Sequence, residues 1–253
     1  MQMTQLLRKV GPVDVKVIRR DSFLLFMFSY TTFMALLLRL LLPRLNVTLA
    51  ANGVLPNERF AVELSAFYPM IVAYVALYSG ALAVGMIFGF MLLDEKDDQT
   101  LTAMLVTPVP LRQYALYRVG VAAALAFVII WLMLLIIGQA LLPFWQLLLC
   151  AAGAALTAPI IVLFFAIIAE NKVQGFAYGK FGGIAGFTIL LGWFVPEPLQ
   201  WLFGLFPPFW VSKAFWLAHE GRGLWWVALF VGIVLQIGLI GWLLQRFTRA
   251  VYR

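Results

Sequence analysis

Charge is scarce in this sequence: Asp, Glu, Lys and Arg make up 11% of its 253 residues, against roughly 25% in an ordinary soluble domain. Hydrophobic residues make up 64%. No polar stretch is long enough to bury a core of its own, so the composition rules against a water-soluble fold and predicts a single membrane domain. Cysteine is nearly absent: Cys150 stands alone in an apolar stretch, which leaves no intrachain disulfide and no thiolate metal cluster. Histidine is also single, and His219 beside Glu220 lacks the second histidine of a zincin pair. A phosphate loop is missing too, because the glycines between Gly175 and Lys180 are too close and Phe181 stands where a hydroxyl residue is required. The chain itself is therefore expected to carry no catalytic residues, no metal and no cofactor. Acidic and basic groups are also missing from the middles of the apolar runs, where an intramembrane enzyme or an ion-coupled carrier needs them. Arg39 is the exception, near enough to the end of its run to snorkel toward headgroups.

What the chain has in quantity is long apolar runs. Ser22 to Leu42, Phe67 to Leu93, Val119 to Leu142, Phe144 to Ala169, Phe181 to Val195 and Leu224 to Leu244 read as six spans. The third and fourth form a tight hairpin at Pro143, and the fifth is marginal in length. Residues 1–21, with Arg8, Lys9, Lys16, Arg19 and Arg20 beside Val15 and Ile18, predict an amphipathic helix lying in the interface, which a retained first span follows. Pro43 to Ala66, containing Asn46, Asn52-Gly53, Pro56, Asn57 and Glu58, reads as an external loop, and Glu170 to Lys180 as an internal one. Residues 196–216 are apolar yet broken by Pro196, Pro198, Pro207 and Pro208. Irregular backbone at membrane depth must be covered by protein or a wet cavity, which predicts short re-entrant helices.

The net charge of +7 comes from basic residues at the ends of apolar runs rather than a stripe interleaved with aromatics, so nucleic acid is not a predicted partner. With these spans, Arg8, Lys9, Lys16, Arg19, Arg20, Lys96, Arg112, Arg118, Lys172, Lys180, Arg246, Arg249 and Arg253 fall on one side. Only Arg44, Arg59, Lys213 and Arg222 fall on the other. The richer side is cytoplasmic by the positive-inside rule, which places both termini inside and makes the number of spans even.

The most informative stretch runs from Asp94 to Arg112, between the second and third spans. Asp94, Glu95, Asp97 and Asp98 crowd its start, where carboxylates complement a helix dipole. Leu101, Met104 and Leu105 share a face, and Pro108 ends the element. A short amphipathic cytoplasmic helix is predicted over residues 94–112. Its acidic flank suits a basic protein partner better than anionic inner-leaflet lipid, which repels carboxylates.

This acidic cluster, followed by Thr100-Leu101 and then Leu105-Val106-Thr107-Pro108, resembles the conserved element of ABC-2 type permeases. Asp14, Arg20-Asp21, Pro207-Pro208-Phe209-Trp210 and the basic tail extend the resemblance over nearly the whole chain. Leu92 to Asp97 and Tyr114 to Arg118 are most similar to permeases of fluoroquinolone export. One departure is Gln99, where the family usually has glycine.

The resemblance implies an all-α membrane protein with a coupling helix, carrying Asp94, Glu95, Asp97, Asp98, Thr100, Leu101, Met104, Leu105, Thr107 and Pro108, that docks into an ABC ATPase. Two copies of that separate ATPase would hold ATP and Mg, and a homodimer of this chain in the plasma membrane would form the export path. Trp201, Phe206, Pro207, Pro208, Phe209 and Trp210 become candidates for an exit gate. Glycines four apart let helices approach closely. Packing within one subunit accounts for Gly85 with Gly89, while Gly179, Gly182, Gly183 and Gly186 become dimer-contact candidates through the family's symmetry. Walls of Phe, Trp, Met and Leu imply an apolar or amphipathic substrate, drug-like or lipid-like. Two alternatives stay open: a non-transporting homologue that regulates a membrane protease or sensor, and an ion-coupled carrier or intramembrane enzyme.

Overall fold

The computed structural model describes residues 3–51, 64–100 and 111–251. Among them every regular element is helical. Five segments are long and apolar enough to cross a membrane: Ser22–Leu45, Leu64–Asp97, Arg112–Ile137, Phe144–Ile168 and Trp225–Arg249. This is a multi-pass membrane protein. Bulky apolar side chains such as Phe26, Phe33, Leu132, Phe187 and Phe230 stay exposed on the outside of the bundle, the arrangement expected where the surroundings are hydrocarbon.

Helix α1 (Met3–Arg20) leads almost without interruption into α2 (Ser22–Ala51). Asp21 makes the break, its Oδ1 accepting the amides of Phe23 at 2.8 Å and Leu24 at 3.2 Å as an N-cap. Helix α1 is amphipathic as predicted, but its inward stripe differs. Asp14 is buried with Val10 and Ile18 half-buried beside it, at four-residue spacing, while Val15 is exposed. A carboxylate, not an aliphatic pair, is the centre of the buried face. Helix α2 runs through Pro43 to Ala51, so the loop expected from Pro43 is helical at its start. Its Asn52 to Arg59 portion lies outside the described residues.

The second rod contains a 3-10 turn (Leu64–Phe67), α3 (Tyr68–Val72), a π-helical stretch (Ala73–Ser79) and α4 (Gly80–Asp97). Helix α5 (Leu111–Ile137) begins before the predicted third span and also ends before it, because Gly138 and Ala140 take left-handed backbone, φ 65° and 52°. The fourth rod is two helices, α6 (Phe144–Ala155) and α7 (Thr157–Ile168). Pro159 cannot donate to the carbonyl of Ala155, which breaks the ladder between them. Helix α8 (Lys172–Phe194) covers most of the predicted internal loop as well as the marginal span, because Asn171 caps it by accepting the Gln174 amide at 3.0 Å. A 3-10 segment (Leu199–Leu205) and α9 (Pro207–His219) follow, then α10 (Trp225–Val251).

Helices α4 and α7 form the most extensive pairing, and α9 packs almost as closely on α10. The first pairing depends on Gly85 and Gly89. A Cβ on Gly85 would lie 2.7 Å from Ile161 Cβ, and one on Gly89 2.6 Å from the Phe165 ring. These glycines pack within the subunit, as their spacing suggested.

Candidate functional site

At one end of the bundle the chain gathers its charges. Arg118, on the first turns of α5, is 2% exposed. Its Nη1 donates to Asp14 Oδ1 of α1 at 2.9 Å, its Nε donates to the Tyr114 hydroxyl at 2.7 Å, and its Nη2 pairs with Glu95 near the end of α4. Tyr117 donates to Asp14 Oδ2 at 2.8 Å, and Tyr114 donates to Glu95. Every charged group in this cluster has an opposite charge and further hydrogen bonds, which a buried ion pair requires to be tolerated.

A second node stands beside it. Lys172, at the start of α8, reaches Asp94 at 3.0 Å and Asp21 at 3.3 Å. Partial burial alone would raise the Asp21 carboxyl. The amides of Leu24 and Phe23 and the charge of Lys172 outweigh it and hold the group below the usual carboxylate range. Lys96 donates to the carbonyl of Ala169 at 2.9 Å, and so satisfies a backbone acceptor at the end of α7. At the far end of the bundle Arg39 does the same for α5, donating to the carbonyl of Ile136 at 2.9 Å.

Of the carboxylates assigned to docking, Asp94 and Glu95 are thus engaged inside the subunit, while Asp97 and Asp98 are exposed. Thr100 is exposed and helical. Leu101, Met104, Leu105, Thr107 and Pro108 lie outside the described residues. Gln99, in place of the family's usual glycine, has φ 57°, the left-handed backbone that closes a helix and favours glycine.

Midway along the helices lies an apolar cavity of about 280 Å³ between α7 and α8, lined also by Tyr78, Leu82, Phe206, Pro207, Pro208 and Leu239. Tyr78, on the π-helical stretch, donates to the carbonyl of Gly182 at 2.6 Å. Beside it a fully buried polar link joins two rods: Thr157 donates to Gln236 Oε1 at 2.8 Å, and Gln236 Nε2 donates to the carbonyl of Gly153 at 3.1 Å. That carbonyl belongs to the turn where the α6–α7 ladder is broken. Sequence reasoning passed over this link, although a lone glutamine in the last apolar run was its visible sign.

Phe206 touches Tyr78 at this mid-helix level, ring centres 5.6 Å apart, whereas Trp216 returns to Trp193 near the end of α8 at 5.0 Å. Residues 195–219 therefore descend to the middle of the bundle and come back. Of the gate candidates, Phe209 and Trp210 are buried in the core, and the Trp210 indole donates to Gly204 O at 2.8 Å. Pro208 is buried and lines the central cavity with Phe206 and Pro207, while Trp201 is exposed and stacks edge-on against Trp210 at 5.5 Å.

Of the dimer-contact candidates, Gly179 and Gly186 face their own chain. A Cβ on Gly179 would lie 2.6 Å from Met86, and one on Gly186 would collide with Tyr78. A Cβ on Gly182 would lie 3.1 Å from Leu82, and one on Gly183 would meet open space.

At the returning end a second cavity, about 340 Å³, is lined by Trp193, Glu197, Gln200, Lys213, Trp216 and Arg222 among others. Lys213 donates to Glu197 and Gln200, both at 2.7 Å, and stands 5.2 Å from the Trp201 ring centre. The hydrogen bond and charge of Lys213 hold the Glu197 carboxyl below its usual range. Among the described residues no three His, Cys, Asp or Glu side chains come together to hold a metal.

A family model described as fluoroquinolones export permease protein Rv2686c-like matches residues 14–244. Two curated relatives from Mycobacterium tuberculosis are similar to this chain. They are the fluoroquinolones export permease protein MT2760 of strain CDC 1551 / Oshkosh and the fluoroquinolones export permease protein Rv2686c of strain ATCC 25618 / H37Rv. Each is 31% identical over 199 residues, covering 75% of this chain and 76% of the relative. No solved structure matches. Both the span of the family match, which takes in Asp14, Glu95 and Arg118 as well as Lys213 and Gln236, and the identity to the two relatives establish that the chain belongs to the Rv2686c-like family of fluoroquinolones export permeases.

Proposed function

We propose that the chain is the transmembrane subunit of an ATP-binding-cassette exporter of the ABC-2 type, working as a homodimer with two copies of a separate ATPase that binds ATP and Mg. The observation that carries this reading is the pair of ionic nodes around residues 94–118. Arg118 joins the helix entering the docking segment to the helix leaving it and to α1, and Lys172 joins the same entrance to α8. A force applied to that segment would reach four helices together, α1, α4 and α5 through the Arg118 pairs and α8 through the part-buried Lys172 pairs, and a buried pair such as Arg118 with Asp14 resists separation. Closure of the ATPases would then tilt the rods and exchange inward and outward openings.

In this reading α8 is the sixth membrane crossing. Its 23 residues make about 34 Å of helix at 1.5 Å per residue, enough for the hydrocarbon core. Both termini and the Arg118 end are cytoplasmic in a bacterial plasma membrane, and residues 195–219 form a re-entrant hairpin near the outer surface. The central cavity, with almost no polar lining, suits the apolar part of an amphipathic drug, and the names of the relatives point to fluoroquinolones.

The test uses inside-out membrane vesicles containing the chain and its ATPase. They should accumulate a fluoroquinolone when ATP is supplied, and vesicles with the chain alone should not. No ATP-dependent accumulation with both subunits folded and present, or ATP hydrolysis by the chain purified free of other proteins, would overturn the reading.

A further inference from the structure

We propose that the cavity at the returning end of the re-entrant segment binds the carboxylate of an amphipathic aromatic acid, with the Lys213 ammonium as its anchoring charge. This rests on the exporter reading for its part in transport, but the binding can be measured without it.

Lys213 projects from α9, a largely apolar helix whose side chains are nearly all buried, and its own side chain is 8% exposed. An ammonium so far removed from water needs an anion and fixed hydrogen-bond acceptors. Its anion is Glu197, whose side chain is 54% exposed on the segment after α8. The pair is unequal: the cation is held by a packed helix, and the anion already stands half in water. An incoming carboxylate can take the place of Glu197 without leaving Lys213 unpaired, and Glu197 can turn outward and rehydrate at little cost. Gln200 would keep its hydrogen bond to the lysine throughout.

Two further features suit an aromatic acid. Trp193 and Trp216 line the cavity, with rings edge to face and centres 5.0 Å apart, and such walls favour a planar ring. The volume of about 340 Å³ is in the range of small-molecule sites. Arg222, paired with Glu220 at 2.8 Å, adds a second cation at the rim. At the end of an export path this site would receive the acid and release it to water.

The experiment is equilibrium dialysis of the purified full-length chain in lipid nanodiscs against a fluoroquinolone carboxylic acid and, separately, its methyl ester. The wild type should bind the acid about tenfold more tightly than the ester, the usual size of one charge-assisted contact. Lys213→Met should lose that preference. Glu197→Gln, which removes the competing anion, should bind the acid several times more tightly, an outcome that a structural role for Glu197 would not produce.

Equal binding of acid and ester by the wild type, a preserved preference in Lys213→Met, or weaker acid binding by Glu197→Gln would each overturn the proposal. If Lys213→Met does not fold, the ester comparison and Glu197→Gln still decide. Uptake into vesicles with the ATPase keeps the two readings apart. Acid-selective binding without any ATP-driven uptake would sink the exporter and leave the site standing, whereas uptake with no acid preference in binding would sink the site alone.

Discussion

Arg118 shows how much one side chain can hold. Its guanidinium, fixed against Asp14, Glu95 and Tyr114, joins α1, α4 and α5. Removing it leaves buried carboxylates without a counter-charge, a change that costs about 3 to 5 kcal/mol. Arg118→Met should destabilise the chain by that order in detergent unfolding experiments. Arg118→Lys should recover little, since an ammonium cannot present the same fork to three partners. A variant within 1 kcal/mol of wild type would show the cluster to be incidental.

Little of this cluster was legible in the sequence. Arg118 counted there as one more positive residue at a span end and as part of the stretch resembling the family, and Asp94 to Asp98 read as a single acidic flank. The pairings run over 104 and 23 residues of chain, beyond any periodic signal, so the division between engaged Asp94 and Glu95 and exposed Asp97 and Asp98 needed the fold. Lys213 was hidden for the same reason: it counted as an outward-facing charge, and only the return of α9 buries it.

At the scale of elements, five of the six apolar runs coincide with segments long and apolar enough to cross a membrane, because apolar length is a property of contiguous residues. Hydropathy misplaced the ends where a specific interaction decided them: Asn171 starting α8, and Gly138 ending α5. It also missed the break between α6 and α7 and the π-helical turn that presents Tyr78 to Gly182. The glycine pattern in α8 was legible as close approach but not as to whom.

Gly186 lies against Tyr78, and Gly183 faces open space on a side that carries exposed Phe187 and Ile184. Gly186→Leu should therefore disturb the fold itself, lowering the thermal midpoint of the purified chain. Gly183→Leu should leave that midpoint unchanged and, if α8 meets its copy across the dimer, shift the assembly toward monomer in size-exclusion with light scattering. Equal loss of stability from both would contradict the placement of α8.

For the whole molecule, the charges divide by position along the bundle. Ionic pairs at one end tie together the helices on either side of residues 98–111, the middle is mainly apolar with polar links at Tyr78 and at Thr157 with Gln236, and Lys213 stands at the other end. Such a layout suits the proposed exporter, with force applied at one end and release at the other.

The claim on which this depends is that a separate ATPase grips the segment after Asp98. It is tested most directly by changing Leu101 and Leu105 together to aspartate and measuring how much ATPase co-purifies with the chain, beside its total membrane level. Burial of each leucine contributes roughly 1.5 to 3 kcal/mol before association costs, so losing both should abolish recruitment while insertion stays intact. Asp97 and Asp98 changed to asparagine should weaken it less, and mainly at low salt. Full recruitment of an active ATPase by the double aspartate variant would contradict the account.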